Sequence, residues 1–304
     1  MTVTLARLAR EFLDRPGLSL STQRSYESTL MPLLGQWGRL PIEIISRQLV
    51  LDYLRSLTHL SITTHHRHQA IIQALLNFGV EQGYLTVNPI AGLKQRKLDP
   101  EKGECSTDAV IRYLSAEQLS ILYELLVPDV RLHAIVRLLH RTGARIGELL
   151  TLDLEGIDLQ LQKFQVMGKG KKLRWCFYSE DAASIVNNYI KYYRDLGTPA
   201  LFTAQNPFNQ RVTRLSYQQV YCCWQSFTEK SPLLQGIRLH DLRHTFATER
   251  VGLMALEELR ALMGHENIQT TLRYQKVTSL RAEEVARDAL NILVAGQKKV
   301  NNTG

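Results

Sequence analysis

The spacing of the apolar residues changes along the chain, and this change constrains the fold more than any other feature. From Leu5 to Leu93 apolar residues recur every three or four positions, which is the period of an amphipathic helix. From Leu152 to Tyr178 the period becomes two on both sides of a Gly-Lys-Gly turn, which indicates a hairpin within a three-stranded antiparallel sheet. The remainder to Ala295 returns to the helical period. The pattern predicts a mainly α fold with a small antiparallel β-sheet.

A polar segment separates the two kinds of pattern. Residues 98–110 are charged, contain a proline and a glycine and show little periodicity, as is typical of an interdomain linker. A chain of 304 residues is long enough for two domains. We therefore expect a helical domain over residues 1–97 and a second domain over residues 111–304, whose first helix begins after an N-cap at Ser115.

The excess of basic over acidic residues indicates the kind of binding partner. Lys and Arg number 37 against 29 Asp and Glu, and the isoelectric point is near 9.3. This excess favours a polyanion, foremost nucleic acid, because cations bound to phosphates release condensed counterions. No apolar run approaches the roughly 20 residues of a membrane-spanning helix, and the amino-terminal segment lacks the apolar core of a secretory signal. We therefore expect a cytoplasmic protein without a membrane partner.

A histidine-rich segment and the cysteines contain side chains that commonly bind metal. For both we favour a different interpretation. The segment His65–His68 opens the fourth predicted helix, where a polar surface facing solvent or phosphate is more common than a metal site. The cysteines show no CxxC spacing and two are adjacent, which suits neither zinc nor an ordinary disulfide framework. We expect all four to be reduced thiols: Cys105, Cys176, Cys222 and Cys223.

Four stretches of the second two-thirds carry groups suited to phosphoryl transfer. They read RTGARIGEL from Arg141, VMGKGKKLR from Val166, HDLRHTFAT from His240 and MGHENIQTTLRY from Met263. Together they supply positioned cations, proton carriers and a nucleophile, which such a transition state requires. In order and spacing they resemble the tyrosine recombinase (phage integrase) family, and within it the Xer-like site-specific recombinases. HDLRHTFAT is the most specific of the four.

Two arginines are the expected phosphate ligands. Arginine presents a planar fork of donors that stays charged at working pH. Taken alone, Arg145 could equally be a surface residue paired with Glu148. The resemblance implies instead that Arg145 contacts the scissile phosphate and that Glu148 supports it. His240 and Arg243 are three residues apart, so both project from one face of a helix. The resemblance implies that Arg243 is the second phosphate ligand, with His240 a hydrogen-bond donor or proton acceptor. We expect His244 to pack behind this pair.

Tyr274 is the expected nucleophile because it follows His265 by nine residues, the spacing of the family. A free phenol has a pKa of about 10, so it needs neighbouring cations or a base to react at neutral pH. Lys169 lies in the hairpin turn, where the family carries a lysine that protonates the departing 5′-oxygen. Its ammonium is charged at neutral pH and can act as a general acid, although Lys171 and Lys172 are near enough to compete.

The resemblance also implies an architecture and a reaction. An N-terminal helical core-binding (SAM-like) domain and an α+β catalytic domain would form a clamp around double-stranded DNA. Attack by tyrosine would give a 3′-phosphotyrosyl intermediate without metal, ATP or any other cofactor. Two protomers would bind an inverted-repeat site, and a tetramer would join two sites through a Holliday junction. A C-terminal helix at about 282–295 would dock onto the neighbouring protomer, although it could instead fold back on its own core.

Two other functions fit part of the pattern. A type IB topoisomerase shares the chemistry but relaxes supercoils as a monomer, and a non-catalytic DNA-binding regulator could keep the fold without the reaction. The helical N-terminal domain and the apolar C-terminal segment favour a recombinase over a topoisomerase. Every expected reacting group is present, which argues against a decayed site. Three departures from the family pattern, Ala144, Met263 and the Gln275-Lys276 pair, remove none of these groups.

Overall fold

The computed structural model describes residues 2–98, 111–168, 172–278 and Arg287. The chain divides into two compact units, Met1–Val110 and Ile111–Gly304. Nearly all of the expected linker at 98–110, and the expected C-terminal helix at 282–295 apart from Arg287, lie outside the described residues. Within the described ranges, no helix combines the length and apolar character needed to cross a membrane.

The first unit is built from four helices. They are α1 (Leu5–Asp14), α2 (Leu20–Trp37), α3 (Arg47–Ser56) and α4 (Ile62–Glu81). Each begins at a hydroxyl N-cap whose side chain accepts a backbone N–H of the first turn: Thr4, Ser19, Ser46 and Ser61. Apolar residues from all four helices form one buried core, as the helical period predicts.

The histidines at the start of α4 do not form the polar surface that the sequence suggested. His65 is buried, and its ring Nε2 donates to the Leu54 carbonyl at 2.9 Å. His66 is half-buried and bonds in the same way to the Arg96 carbonyl at 2.8 Å. The physical reason is helical phase, because His65 lies one turn after the buried Ile62 on the core-facing stripe. Arg67 is the exposed member of this segment.

The second unit is built around one buried helix. Its first four helices are α5 (Ala116–Leu126), α6 (Val130–Thr142), α7 (Ile146–Leu150) and α8 (Glu180–Tyr192). The next four are α9 (Tyr217–Thr228), α10 (Leu239–Arg250), α11 (Leu256–Met263) and α12 (Ile268–Leu272), followed by a 3-10 turn at Arg273–Thr278. Ser115 caps α5 in a complete capping box with Gln118, as predicted. Helix α6 is buried over most of its length and packs against α8 and α10.

The predicted three-stranded sheet is present. Strands β1 (Ile157–Asp158), β2 (Lys163–Met167) and β3 (Leu173–Phe177) are antiparallel in the order β1-β2-β3, with Val166 opposite Arg174. A second sheet pairs β4 (Thr203–Gln205) with β5 (Val212–Arg214), so the prediction of helices alone after the first sheet was wrong. Strands of three residues are too short to show an alternating period in the sequence.

A left-handed glycine ends α6 and sets the position of the segment that follows. Gly143 has φ +63°, and a Cβ at this position would lie 2.5 Å from the ring of Phe246 in α10. No other residue fits this turn without displacing the Phe246 ring. The turn directs the chain into α7, whose N-cap residue is Arg145.

A buried histidine of α6 should make the stability of the protein sensitive to acid. Burial and the adjacent Arg137 lower the pKa of His133 to about 4. An unfolded imidazole titrates near pH 6.5, so between pH 6.5 and 4 the unfolded chain binds a proton that the folded chain does not. The contribution of His133 to the free energy of unfolding is therefore complete above pH 6.5 and is lost as the pH falls.

We expect the free energy of unfolding of a His133→Gln variant to fall less steeply between pH 6.5 and 4.5 than that of the wild type. Urea unfolding at several pH values measures this slope. His59→Gln is the control, because His59 is exposed. If all three proteins show the same slope, His133 is not an acid-sensitive group.

Candidate active site

Five of the residues predicted from the motifs meet at one cavity of the second unit. Arg145 comes from the start of α7, His240 and Arg243 from α10, His265 from the turn after α11 and Tyr274 from the 3-10 turn. The cavity measures about 200 Å³, several times the roughly 30 Å³ occupied by a water molecule. Four further residues line it: Ile111, His244, Thr270 and Arg273.

The predicted general acid is not among the described residues. Lys169 and its alternative Lys171 fall between Gly168 and Lys172, the two residues that close the β2–β3 hairpin. The Gly168 N–H donates to the Lys172 carbonyl at 2.8 Å. Lys172, the third candidate, lines a neighbouring cavity of about 210 Å³ that shares His265 with the first.

Arg243 is fixed between the ends of two helices. The residue is only 3% exposed, and its guanidinium donates to the Gly143 carbonyl and, at 2.5 Å, to the Met263 carbonyl. These carbonyls lie at the C-termini of α6 and α11, where the helix dipole favours a cation. Burial and the nearby Arg145 lower the Arg243 pKa to about 10, so the side chain is still charged at neutral pH.

A buried carboxylate connects Arg145 to a second arginine. Glu148 accepts from the backbone N–H and from Nη1 of Arg145, each at 2.8 Å. Arg174 donates two parallel bonds to the same carboxylate at 3.0 and 2.7 Å, and the side chains of Glu148 and Arg174 are each 9% exposed. Burial raises the Glu148 pKa, but the bonds from Arg174 and Arg145 outweigh this and hold it at about 2. Glu148 is therefore anionic throughout the neutral range.

Arg174 is a site residue that the sequence motifs did not indicate. It lies in β3 on the partly buried face of the sheet, and its Nε donates to the Leu262 carbonyl of α11 at 2.9 Å. Its side chain also packs against Gly264, where a Cβ would lie 2.9 Å from Arg174 Cδ. The available signal was a charged residue at an inward position of an alternating strand. Arg174 joins the hairpin that carries Lys169 to both Glu148 and the turn before His265.

His265 is held as a neutral ring. Gly264 has φ +63° and ends α11 in a tight turn just before this histidine. Nδ1 of His265 lies 3.0 Å from the Thr271 hydroxyl, and the ring is parallel to that of Tyr274 with 6.4 Å between centroids. Burial and the two arginines of the cavity, Arg243 and Arg145, lower the His265 pKa to about 3. Burial and then Arg243 also lower the pKa of His240 at the rim of the cavity.

Tyr274 is buried, with 3% of its surface exposed. Burial raises the pKa of its phenol, an effect that the guanidinium of Arg243 opposes. The Tyr274 hydroxyl lies 2.8 Å from Nδ1 of His244. The expectation that His244 packs behind the His240–Arg243 pair is therefore wrong, because His244 faces Tyr274. It lies one helical turn after His240, and the two imidazoles meet edge to face with 4.8 Å between their ring centroids.

Comparisons with known proteins point to one family. The model of the phage integrase family matches residues 112–281. Curated relatives include two proteins named tyrosine recombinase XerC. That of Vibrio cholerae serotype O1 is 30% identical over 281 residues, covering 85% of this chain and 83% of the relative. That of Vibrio parahaemolyticus is 28% identical over 279 residues, covering 87% and 85%.

Solved structures show the same fold at lower identity. The Tn1549 transposon integrase in complex with a circular intermediate DNA has a TM-score of 0.71 and 19% identity, covering 90% of this chain and 95% of that one. The XerH site-specific recombinase bound to palindromic difH substrate has a TM-score of 0.69 and 18% identity, covering 93% and 84%. Because the family model spans more than half of the chain and a relative is 30% identical over most of it, the chain belongs to the phage integrase family of tyrosine site-specific recombinases.

Proposed function

We propose that this recombinase cleaves double-stranded DNA by attack of Tyr274 on a backbone phosphate. The product would be a 3′-phosphotyrosyl bond and a free 5′-hydroxyl. One observation carries the proposal: the Tyr274 phenol lines a single cavity together with three arginines and three histidines, among them Arg145, Arg243, His240 and His265. DNA as the partner is supported by the XerH and Tn1549 integrase structures, both of which are complexes with DNA, and by the excess of basic residues in this chain.

The arginines have the properties needed to stabilise a phosphorane-like transition state. Arg145 and Arg243 would each donate to the non-bridging oxygens of the scissile phosphate. Arg243 is held by two backbone carbonyls and Arg145 by Glu148, so both are oriented before the substrate binds. Donors that are oriented in advance need no reorganisation during the reaction, and this accounts for much of the catalysis in such sites.

Proton transfer would involve the hairpin and the histidines. Lys169 would donate a proton to the departing 5′-oxygen, since an ammonium is charged at neutral pH. His265 would donate to a phosphate oxygen through Nε2, because its Nδ1 is engaged with Thr271. His240, at the rim of the cavity, would donate a hydrogen bond to the same phosphate or act as a proton acceptor. Because the phosphotyrosyl bond conserves the energy of the broken phosphodiester, a 5′-hydroxyl from a second duplex could reverse the step without metal, ATP or another cofactor.

The proposal also covers how the protein would assemble on DNA. The helical domain at residues 1–97, with eleven basic and seven acidic residues among the first hundred, would grip DNA phosphates. Two protomers would occupy an inverted-repeat site, and two such sites would join in a tetramer through a Holliday junction. The segment at 282–295 would dock onto the neighbouring protomer. The relatives and structures described above are named as recombinases or integrases.

The test uses a duplex built from an inverted-repeat sequence that the protein binds, with a nick just 3′ of the expected cleavage position, which lets the short 5′-hydroxyl fragment escape. We expect an upstream strand labelled at its 5′ end to migrate with the protein on a denaturing gel, and a downstream label to stay free. A second duplex with a 5′-hydroxyl should then receive the strand. Relaxation of supercoils without site preference would favour a topoisomerase. Site-specific binding without a covalent product would favour a regulator.

A further inference from the structure

His244 touches the atom from which a proton must leave. Its Nδ1 lies 2.8 Å from the Tyr274 hydroxyl, and the two ring centroids are 5.8 Å apart with the planes tilted by 48°. This distance is that of a direct hydrogen bond. His244 is half-buried in α10, a helix that also carries His240 and Arg243, so a rigid element sets its position relative to the phosphate ligands.

We propose that His244 accepts the phenolic proton of Tyr274 during cleavage and returns it during rejoining. The proposal rests on Tyr274 being the nucleophile. As the bond from the Tyr274 oxygen to phosphorus forms, the phosphorus–O5′ bond breaks, the phenolic proton passes to His244 Nδ1, and O5′ takes a proton from Lys169. In rejoining, the 5′-hydroxyl attacks phosphorus and returns its proton to Lys169. The tyrosyl oxygen departs and recovers its proton from His244.

The other two histidines of the cavity are placed for different tasks. His265 has its Nδ1 against the Thr271 hydroxyl, and its ring lies parallel to that of Tyr274 with 6.4 Å between the ring centroids. His240 meets His244 edge to face and lies at the rim of the cavity, where a phosphate would approach. A proton acceptor must be within hydrogen-bond reach of the proton that it takes, and His244 meets this condition.

The protonation state of His244 is consistent with this role. Burial and the adjacent His240 lower its pKa to about 4, so at neutral pH the ring is uncharged and has a lone pair to offer. The remaining charged groups that act on it are Asp241, Arg238 and Arg273. Binding of a phosphate would add negative charge on the cavity side and favour the imidazolium as it forms.

The experiment varies the acidity of the nucleophile. Site-specific incorporation of 3,5-difluorotyrosine at position 274 gives a more acidic phenol with less need of a base. Single-turnover cleavage of the nicked duplex is measured for wild type, His244→Phe and His244→Asn, each with either nucleophile. We expect both variants to lose about 100-fold with tyrosine, in the range of general acid–base effects, and less than about tenfold with difluorotyrosine. His133→Gln, a change outside the cavity, should cleave like the wild type with both.

A structural role for His244 predicts a different outcome, because misplacement of the ring would slow both nucleophiles equally. Equal losses, or wild-type rates in both variants, would overturn the proposal. His244→Asn keeps a polar acceptor beside the phenol but cannot hold the proton, so it covers the case in which His244→Phe does not fold. Thermal melting and DNA binding report on folding. If the wild type forms no adduct at Tyr274, the proposed function is wrong. If the adduct forms but the His244 variants lose the same factor with tyrosine and with difluorotyrosine, only the role of His244 is wrong.

Discussion

Tyr274→Phe is expected to abolish covalent capture of DNA while folding and non-covalent DNA binding stay close to those of the wild type. The change removes one oxygen and keeps the ring in its buried contacts. The lost bond to His244 should cost about 1 kcal/mol of stability. Without the Tyr274 hydroxyl there is no nucleophile for covalent cleavage. The rate acceleration, at least about 10⁶-fold in typical enzymes, should therefore be lost. Denaturing gels of the labelled nicked duplex measure capture, and thermal melting measures stability.

Tyr189→Phe is the matched control for this variant. Tyr189 is also buried in the second unit, and its hydroxyl accepts the Thr203 N–H at 3.1 Å. Its loss should cost a similar amount of stability but leave cleavage intact. The comparison therefore separates the loss of any buried tyrosine hydroxyl from the loss of this one. Covalent capture by Tyr274→Phe, or an adduct mapped to another tyrosine by mass spectrometry, would refute the assignment.

The sequence predicted those parts of the fold and site that depend on short-range spacing. Helical periodicity and hydroxyl N-caps are local, and the first unit follows them closely. The alternating period around a glycine turn was equally local and gave the three-stranded sheet. Gly143 and Gly264, the glycines of two of the motifs, adopt left-handed conformations that this residue type favours. Convergence of the motifs on one cavity came from the family resemblance, because spacing alone does not fix tertiary contacts.

The features that the sequence did not reveal depend on contacts between distant segments. Arg174 bonds to Glu148 and to Leu262, which lie 26 and 88 positions away, and no local pattern indicates either partner. His244 faces Tyr274, 30 positions further along, because the 3-10 turn packs against α10. His65 looked like part of a polar surface because its neighbours are polar, whereas its helical phase places it in the core. In each case the tertiary contact decides the role of the residue.

Glu148→Gln is the second change for which we expect a large effect, because it acts on stability and catalysis together. Gln keeps the size of the side chain but leaves the charge of Arg174 without its buried counter-ion. Removing one partner of a buried ion pair typically costs about 3–5 kcal/mol. Arg145 loses the carboxylate that orients it, so cleavage should fall by about 10²–10³, as for loss of one transition-state donor. Urea unfolding and single-turnover cleavage measure the two effects.

The two effects of Glu148→Gln can be separated by a second substitution. In the double variant Glu148→Gln, Arg174→Met, the uncompensated cation is gone, so much of the lost stability should return. Cleavage should stay low, because Arg145 still lacks its support. Glu257→Gln is the control: its carboxylate pairs with Arg260 but is 68% exposed, and such pairs contribute about 0–1 kcal/mol. If Glu148→Gln kept wild-type stability and cleavage, the buried carboxylate would not organise the site. If the double variant regained cleavage, Glu148 would act only as a counter-ion to Arg174.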